Sequence, residues 1–463
     1  MKTNDALLSA WNATRSACGA KPAIFNTRRK VLRTFAEIET EALALSDELF
    51  GSFAPGDVVA IQIGNHPSWP ALLLAALRRR VVVLPLERTI SEREREVACQ
   101  VCHAAAVIED ENEERVRLTR HSSDAIDWGE RQPVLLKLTS GTTAAPRAIR
   151  FRSGQLVADC EQICDTMRIT ASDLNFGVIP VSHSYGFSNL IMPLLVRGVP
   201  LVLSRDRMPR AVLDDLARTG ATVFAGMPVF YQAFCEIESP PRLPQLRLCI
   251  SAGAPLQLSV AQRFRDKFGQ PIHSFYGSSE CGGICYDTDA PLVEAGFVGR
   301  AMRGVDLELL EPDAAMSRIR VRSAAAGDGY FPEPDEARLG SGVFVPDDLL
   351  ARSGDGFRIA GRASDVINVA GKKVNPAEVE AALLAFDGVR EAVVFGRAST
   401  LRNEEVAACI VADEHVQQSE LLDFCRRQLS GWQVPKRIFF LEAMPMTERG
   451  KISRRRLAEQ FAS

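Results

Sequence analysis

Tyrosine and tryptophan are scarce in this sequence, and its net charge is small. Only 5 Tyr and 4 Trp occur among its 463 residues, and the formal net charge is −3. Proteins that bind single-stranded nucleic acid usually combine a basic groove with aromatic side chains on which the bases stack. We therefore expect no nucleic acid partner. The weak net charge also creates no field that would attract an anionic membrane.

Long apolar runs are missing as well. None reaches the roughly 18–20 residues that a membrane span needs, and the segment 1–5 carries an acid in place of the apolar stretch of a secretory signal. We expect a cytoplasmic protein without integral membrane contact. The 11 cysteines are odd in number and scattered through apolar segments, which favours reduced thiols over a disulfide framework.

One cysteine spacing matches a known attachment pattern. The segment Cys99-Gln100-Val101-Cys102-His103 has the spacing of a haem attachment site. It ends a stretch that opens with Ser91 and Glu94, which is the capping box of a helix. We interpret these cysteines as small side chains packed at the end of a helix.

The arrangement of apolar segments predicts an α/β fold with two domains. Helical and strand-like segments alternate through most of the chain, as in proteins with a largely parallel sheet. Short apolar runs broken by Gly, Pro and Asp follow between residues 296 and 357 and suggest a small antiparallel β unit. We expect a large N-terminal domain over residues 1–361 and a small α+β domain over residues 362–463.

A loop rich in hydroxyl groups is the most informative stretch of the chain. It follows an apolar run and contains Thr139, Ser140, Gly141, Thr142 and Thr143. Inward-facing backbone N–H groups and hydroxyls of such a loop form a concave donor surface that suits phosphate oxygens. Arg147 would add positive charge. The alternative is a surface turn that happens to be rich in Ser and Thr.

Several other loops of small residues follow predicted strands. Ligands of open α/β sheets bind outside the carboxyl ends of the strands, so these loops point to one shared crevice. They occupy residues 180–187, 226–228, 251–255 and 276–280. Nearer the C-terminus come Gly361-Arg362, Gly371, a helix start at Asn375-Pro376, and Lys451 within Gly450-Lys451-Ile452.

In this order, these pieces resemble the adenylate-forming superfamily of acyl-CoA synthetases, peptide-synthetase adenylation domains and luciferases. The resemblance extends over nearly the whole chain and implies an acid–thiol ligase. In such an enzyme a carboxylate attacks the α-phosphorus of ATP, pyrophosphate leaves, and a pantetheine thiol then takes the acyl group from the acyl-AMP. Positioned cations and donors supply most of the catalysis of the first step.

The resemblance also implies roles for individual residues. The loop 139–147 would hold the β- and γ-phosphates, Ser279 would contact the α-phosphate, and Glu280 would help to hold Mg²⁺. Lys451 would be the catalytic cation of the small C-terminal domain, which the resemblance implies is mobile. The remaining nucleotide positions implied by the family are Ser251, Gly253, Ala254, Pro255, Tyr276, Gly277, Asp348 and Arg362.

One of these assignments has an alternative, and several residues differ from the pattern of the family. Asp348 would accept the ribose hydroxyls, but its neighbour Asp347 leaves a shift of one residue open. Arg147 replaces the usual lysine, and its planar guanidinium makes different contacts from an ammonium group. Ala144 and Ala148 replace glycines of the family loop, and Ser364 stands at the hinge, where Asp or Lys is more usual.

The acid and the thiol acceptor are predicted only by class. The resemblance places the acid among His183, Tyr185, Phe187, Gly226, Met227 and Gly282, which favours an aryl or short acyl carboxylate over an amino acid. Gly253, Gly277, Gly282 and Gly283 could open a channel for a longer chain. Gly371 would let a pantetheine arm pass close to the backbone. The arm would belong to CoA or to an acyl carrier protein.

Two functions from other classes remain open at this point. A non-catalytic sensor of nucleotides or acyl-adenylates would keep the pocket and dispense with the terminal lysine, whereas Lys451 stands in its expected context. A luciferase-like oxygenase would share the first half-reaction and then use oxygen. Asn368 stands where luciferases carry a lysine.

Overall fold

The structure, a computed structural model, describes residues 5–112, 115–139, 146–288, 294–369, 372–399, 403–445 and 452–461. The chain forms two compact units. The first contains Met1–Glu308, Arg320–Val345 and Arg352–Arg358, and the second contains Leu309–Ile319, Pro346–Ala351 and Ile359–Ser463. A mixed α/β fold with a large N-terminal and a small C-terminal part confirms the predicted fold class.

The helices of the first unit are short to medium in length. They are α1 (Ala6–Cys18), α2 (Phe35–Glu48), α3 (Trp69–Arg79), α4 (Glu92–Val101), α5 (Ser153–Met167), α6 (Ser184–Gly186), α7 (Met192–Arg197), α8 (Pro209–Thr219), α9 (Pro228–Glu236) and α10 (Leu258–Phe268). A 3₁₀ turn covers Gly129–Arg131, and a π-helical segment, Phe187–Ile191, joins α6 to α7.

Strands β1 to β15 belong to the first unit. They are β1 (Pro22–Asn26), β2 (Val31–Thr34), β3 (Val58–Gln62), β4 (Val82–Pro85), β5 (Ala104–Asn112), β6 (Arg115–Arg120), β7 (Leu135–Leu138), β8 (Ala148–Phe151), β9 (Asn175–Gly177), β10 (Leu201–Leu203), β11 (Val223–Gly226), β12 (Leu248–Ser251), β13 (Ile272–Ser278), β14 (Gly282–Tyr286) and β15 (Phe297–Ala301).

The strands that follow are mostly short. They are β16 (Val305–Leu309), β17 (Ser317–Ser323), β18 (Tyr330–Phe331), β19 (Leu339–Gly340), β20 (Val343–Phe344), β21 (Asp348–Ser353), β22 (Gly356–Arg362), β23 (Ile367–Val369), β24 (Lys372–Val374), β25 (Val389–Ser399), β26 (Asn403–Ala412) and β27 (Arg437–Phe440). Pairing among β17, β19, β20 and β21 is antiparallel, as the sequence predicts for this region.

Two sheets organise the first unit. In one, strands β13, β12, β11, β9, β10 and β1 run parallel in that order, and β14 and β2 extend it by antiparallel pairing. The other has the order β18-β8-β7-β4-β3-β5-β6, with parallel pairing from β7 to β5. The carboxyl ends of the parallel strands of the first sheet carry the loops singled out in the sequence.

Local sequence signals explain where several helices begin. Thr34 and Glu37 form the predicted capping box of α2, and Ser91 and Glu94 form that of α4. Helix α3 is apolar on all sides from Trp69 to Leu77 and is buried throughout that stretch. All 11 cysteines are free thiols, as predicted. Burial raises the pKa of the Cys102 thiol to about 12, which keeps it protonated at neutral pH.

The second unit contains a five-stranded sheet of its own. Its order is β24-β23-β26-β25, and β27 pairs in parallel with β26. The helices of this unit are α11 (Pro376–Leu384), α12 (Gln418–Gln428) and α13 (Arg454–Gln460), and a 3₁₀ turn covers Ala363–Asp365. Val379 and Leu421 pack on one apolar cluster of the sheet, whereas Leu457 packs on another. As predicted, Asn375 caps α11 and Pro376 opens it.

Candidate active site

The hydroxyl-rich loop is framed by two antiparallel strands. Strands β7 and β8 pair up to Leu138 and Ala148, which confirms the predicted order of strand, loop and strand. Beyond the pair, both the backbone N–H and the side-chain Oγ1 of Thr139 donate to the carbonyl of Arg147, at 2.8 and 3.1 Å. These bonds close the base of the loop. Ser140, Gly141, Thr142 and Thr143 lie outside the described residues.

Arg147 is held against an aromatic ring at the end of this loop. Its guanidinium carbon lies 4.3 Å from the centroid of the Tyr330 ring, a cation–π contact. Its Nη1 lies 4.0 Å from Oδ2 of Asp335, at the outer limit of an ion pair. Tyr330 reaches this position because β18 pairs with β8 immediately after the loop, with Tyr330 opposite Ile149.

Glu280 lies on the other side of the same tyrosine. The Tyr330 hydroxyl donates to Oε1 of Glu280 at 3.3 Å, and the carbonyl of Glu280 accepts from the N–H of Gly327 at 2.8 Å. Burial raises the pKa of the Glu280 carboxyl above its ordinary value, although hydrogen bonds from its own backbone, Tyr330 and Ser278 oppose this shift. Arg147, Tyr330 and Glu280 thus form one connected group.

The segment 276–280 differs from its prediction as a loop. Tyr276 and Gly277 belong to β13, which continues to Ser278, and the chain then turns back into β14. The prediction was wrong here because Gly, Ser and Glu are weak strand formers, whereas the ladder to β14 stabilises the extended backbone. Ser279 and Glu280 therefore sit at the tip of a hairpin.

The loop after β9 also differs partly from its prediction. His183 accepts the N–H of Tyr185 on Nδ1 at 3.2 Å and so caps α6, which begins at Ser184 within the predicted loop 180–187. The Ser184 hydroxyl donates to the Ser279 hydroxyl at 2.9 Å. This bond joins the His183 segment to the hairpin that carries Glu280.

Tyr185 connects the predicted acid site to two strand ends. Its hydroxyl donates to the carbonyls of Gly226 and Ile250, at 3.3 and 3.4 Å, and its ring lies 5.9 Å from that of Phe275. Burial raises the pKa of this phenol, so it stays protonated at neutral pH. The side chain of Phe187 is buried, with 1% of its surface exposed.

The loops after β11 and β12 lie beside each other. The N–H of Ala252 donates to the carbonyl of Gly226 at 3.3 Å. Met227 is exposed over 37% of its surface, whereas Ser251 is buried and its hydroxyl has no protein partner among the described residues. Gly253, Ala254 and Pro255 are exposed. These two loops bring four predicted nucleotide positions and two predicted acid positions to one edge of the sheet.

Three of the four glycines that were predicted to open a channel are closely packed. A Cβ at Gly282, where φ is +69°, would lie 1.9 Å from Oδ1 of Asp159, and one at Gly283 would lie 2.6 Å from Sδ of Met302. A Cβ at Gly277 would lie 2.6 Å from the carbonyl oxygen of Gly282. Protein atoms therefore occupy the space at these three positions. At Gly253 the nearest atom, Sδ of Met227, is 3.9 Å away.

The second unit holds the predicted ribose contact. Nε of Arg362 donates to Oδ1 of Asp348 at 3.2 Å, across the neighbouring strands β21 and β22. Asp347 instead offers its backbone carbonyl to the N–H of Ala363 at 2.7 Å. The side chain of Asp348 thus pairs with Arg362.

The positions predicted for the thiol step are described only in part. Gly371 and Lys451 lie outside the described residues. Beside the first of them, Nζ of Lys372 lies 3.7 Å above the ring of Trp432, and both Lys372 and Lys373 are exposed. The second unit therefore presents positive charge next to position 371.

Two residues of the first unit lie at or near the candidate site but were not predicted from the sequence. Tyr330 gives no local signal, because only the pairing of a two-residue strand brings it to the loop. Lys137 did give a signal, as a lone cation within the apolar strand that leads into the loop. It is buried, and its Nζ lies 4.6 Å from the ring centroid of Phe151 and 5.5 Å from that of Phe187.

The donor set fits a magnesium ion that a nucleotide brings with it. Mg²⁺ is usually held by one or two carboxylates together with phosphate oxygens and water. Glu280 offers one half-buried carboxylate that accepts from the hydroxyl of Tyr330. No cluster of three or more His, Cys, Asp or Glu side chains occurs in the described part of the chain, so a metal held entirely by the protein has no site there.

A hydroxyl-rich segment that ends at Arg147, with Tyr330 in contact with both Arg147 and the Glu280 carboxylate, on a mixed α/β scaffold, fits the class of AMP-forming ligases. The chain belongs to the AMP-binding enzyme family. It matches the family "AMP-binding enzyme" over residues 11–330 and "AMP-binding enzyme C-terminal domain" over residues 378–451. The superfamily predicted from the motifs is thereby confirmed.

Two curated relatives and a solved structure illustrate the likeness. A feruloyl-CoA synthase from Amycolatopsis sp is 27% identical over 464 residues, covering 92% of this chain and 94% of the relative. A 3,4-dihydroxybenzoate–[aryl-carrier protein] ligase from Bacillus anthracis is 26% identical, covering 72% and 76%. ATP-bound MatB from Rhodopseudomonas palustris superposes with a TM-score of 0.86 at 22% identity, covering 98% of both chains.

No helix in the described part of the chain is both long enough and apolar enough to cross a bilayer.

Proposed function

We propose that this enzyme activates an aryl or fatty carboxylic acid as acyl-AMP and then transfers the acyl group to the pantetheine thiol of CoA. The observation that carries the proposal is the group formed by Arg147, Tyr330 and Glu280 at the end of the hydroxyl-rich loop. It joins a phosphate-binding cation to a carboxylate suited to Mg²⁺. The family match supports the same chemistry.

In the first step, a carboxylate oxygen of the acid forms a bond to the α-phosphorus of ATP while the bond to the pyrophosphate oxygen breaks. Positioning and charge stabilisation contribute most to such transfers. Thr139 would close the base of the loop, Ser140, Gly141, Thr142 and Thr143 would donate to the β- and γ-phosphates, and Arg147 would add positive charge. Ser279, at the tip of the hairpin, would contact the α-phosphate.

Glu280 would hold Mg²⁺, which supplies charge neutralisation to the phosphates when it is bound. The contact from Tyr330 orients the carboxylate, and the bond from the N–H of Gly327 fixes the backbone that carries it. A carboxylate already positioned by the protein loses little freedom when it binds a cation. Tyr330 would thus act as a positioning residue for both charged groups.

The other predicted positions would also contact the nucleotide. They are Ser251, Gly253, Ala254, Pro255, Tyr276 and Gly277. Asp348 would accept the ribose hydroxyls while Arg362 fixes its orientation. Lys451 would bring a cation to the reacting oxygens, and Gly371 would line the path of the thiol.

The acid would be bound near His183, Tyr185, Phe187, Gly226, Met227 and Gly282. Aromatic side chains and a methionine offer a surface suited to an aryl ring. The packed atoms at Gly282 and Gly283 argue for a short acid over a long acyl chain. The named acids of the two relatives are aryl acids, which supports the same choice.

The acceptor would be CoA, and an acyl carrier protein is the second candidate. Lys372 and Lys373 beside position 371 provide positive charge for the phosphates of CoA, or for the acidic surface of a carrier protein. The relative from Bacillus anthracis is named for an aryl carrier protein, which is the observation that favours this alternative.

Product analysis with the purified full-length chain tests this proposal. The protein is incubated with ATP, Mg²⁺, a panel of aryl and fatty acids, and either CoA or a phosphopantetheinylated carrier protein. We expect AMP and an acyl-CoA thioester, both identified by mass spectrometry. An acyl-carrier protein product without acyl-CoA would shift the assignment to the second acceptor. Binding of ATP without any acyl product would contradict the proposal.

A further inference from the structure

A buried polar cluster lies next to the predicted acid site and has no role in the steps above. It consists of Lys137 on β7, Asp159 on α5 and Ser188 in the π-helical segment, exposed over 6%, 4% and 5% of their surfaces. Charged side chains are rarely buried unless they have a partner or a function. Two predicted acid-site residues, Phe187 and Gly282, flank this cluster.

The surroundings of the Lys137 ammonium are largely aromatic. Its nitrogen lies 4.6 Å from the centroid of Phe151 and 5.5 Å from that of Phe187. A ring face attracts a cation but offers no oxygen acceptor. An ammonium group has three N–H donors, so an oxygen on a bound acid would add a stronger contact than either ring provides.

Asp159 is fixed by neutral donors. Its Oδ2 accepts from the hydroxyl of Ser188 at 2.5 Å, and its Oδ1 accepts from the N–H of Gly283 at 3.1 Å. Gly282 has room for no side chain because this carboxylate occupies the space. Asp159 therefore holds the π-helical segment and the start of β14 together, next to Lys137.

The charges around Lys137 indicate what kind of oxygen it would bind. Burial lowers the pKa of Lys137, while the charges of Asp159, Cys281 and Glu280 act to raise it. Two carboxylates, Asp159 and Glu280, thus lie close enough to Lys137 to act on its charge. A second carboxylate on the acid would add further negative charge to this surrounding, whereas a neutral oxygen would not.

We propose that Lys137 is a specificity-determining residue of the acid site and donates a hydrogen bond to a neutral oxygen, such as a phenolic hydroxyl, on the acid. The inference rests on the proposed function, because it assumes that the chain activates an acid. It assigns the substrate class as aryl acids that carry an oxygen on the ring. Phe151 and Phe187 flank the ammonium, and neither ring offers an oxygen acceptor to its N–H groups.

The test compares matched acids that differ only in a hydroxyl or a methyl group at one ring position. For benzoates and cinnamates substituted at each position, kcat/KM of acid-dependent ATP–pyrophosphate exchange is measured. We expect the wild type to prefer the hydroxy acid about 10- to 100-fold at one ring position, the usual range for a hydrogen bond to a charged donor. Lys137→Met should abolish this preference while changing kcat/KM for the methyl acid less than about 3-fold.

Two further variants and one further acid make the result specific. Lys137→Gln keeps a hydrogen-bond donor but removes the charge, so it should retain part of the preference for the hydroxy acid. It also serves as the test variant if Lys137→Met does not fold. Lys267→Met removes the lysine that donates to the carbonyl of Cys235 in another part of the unit and should leave the preference unchanged. A dicarboxylic benzoate should be a poor substrate for the wild type.

The outcomes separate this inference from the function on which it rests. If none of the acids supports ATP–pyrophosphate exchange, the proposed function itself is contradicted. Exchange by the wild type with equal rates for hydroxy and methyl acids would overturn only the role of Lys137. A uniform loss across all acids in Lys137→Met and Lys137→Gln, or a preference for the dicarboxylate that these variants remove, would also overturn it.

Discussion

Tyr330 illustrates how one side chain can complete a site that lies far away in the sequence. It contacts the guanidinium of Arg147 with its ring and the carboxylate of Glu280 with its hydroxyl. The loop and Glu280 could be predicted from their residue types. Tyr330 could not, because its position depends on the pairing of β18 with β8, and a two-residue strand has no pattern of its own.

We expect Tyr330→Phe to remove the hydrogen bond that positions Glu280 and to keep the cation–π contact between the ring and Arg147. Loss of one hydrogen bond to a charged group is worth about 1.5–3 kcal/mol, and roughly 10- to 100-fold in rate where the bond is made in the transition state. The measurement is kcat and the Mg²⁺ concentration for half-maximal exchange, and both should worsen. The control is Tyr286→Phe. The ring of Tyr286 stacks on His273, and this variant should match the wild type. Equal activity of both variants would contradict the role of Tyr330.

Gly282 is a second residue whose identity follows from packing. Its positive φ and the proximity of Asp159 exclude a side chain. We expect Gly282→Ala to lower stability by about 2–4 kcal/mol, since a left-handed backbone costs 1–2 and overpacking adds a similar amount. Thermal unfolding followed by circular dichroism measures the change. Gly431→Ala, where a Cβ would meet open space, should shift the Tm little. Equal Tm values for the two variants would refute this explanation.

At the scale of elements, capping and apolar periodicity were the reliable signals. The helix starts at Thr34, Ser91 and Asn375 are where these residue types predict them. Regions that depend on tertiary pairing were harder. The β13–β14 hairpin and the π-helical segment, Phe187–Ile191, follow from neighbouring strands and packing, so their local sequences predict a loop or an ordinary helix instead.

The amino ends of three parallel strands are tied together by one buried carboxylate. Asp173, which precedes β9, accepts from Nε and Nη2 of Arg247 at 2.7 and 2.6 Å and from the hydroxyl of Thr222 at 2.8 Å. Thr222 precedes β11 and Arg247 precedes β12. Burial acts to raise the pKa of Asp173, but these hydrogen bonds and one from Thr170 outweigh it and lower the pKa below its ordinary value.

A lowered pKa gives this network a defined pH dependence. It contributes stability above the ordinary pKa of an aspartate, about 4, and loses that contribution as the pH falls through the lower folded value. We expect Asp173→Asn to reduce stability at pH 7 by about 1–3 kcal/mol, with a deficit that shrinks below about pH 4. Thermal unfolding across this range checks both statements. Asp214→Asn, in an exposed pair with Arg210, should change little at any pH. A deficit independent of pH would contradict the account.

At the scale of the whole molecule, the order of the motifs was more informative than any single motif. The hydroxyl-rich loop, the His183 segment, the hairpin at Glu280, Asp348 with Arg362, and Lys451 occur in the order of the family. The match of both family regions confirms that inference. The identity of the acid could not be predicted in the same way, because it depends on packing inside the folded chain, as in our proposal for Lys137.

Acid-dependent exchange of pyrophosphate into ATP tests the central claim most directly, because it isolates formation of the acyl-AMP from the thiol step. The full-length protein is assayed with Mg²⁺ and with benzoates, cinnamates and fatty acids of increasing length, beside Lys451→Ala and Glu280→Gln. We predict exchange with a limited group of acids and at least about a 100-fold loss in both variants. Folded wild-type protein that binds ATP but exchanges no pyrophosphate with any acid of the panel would contradict the claim.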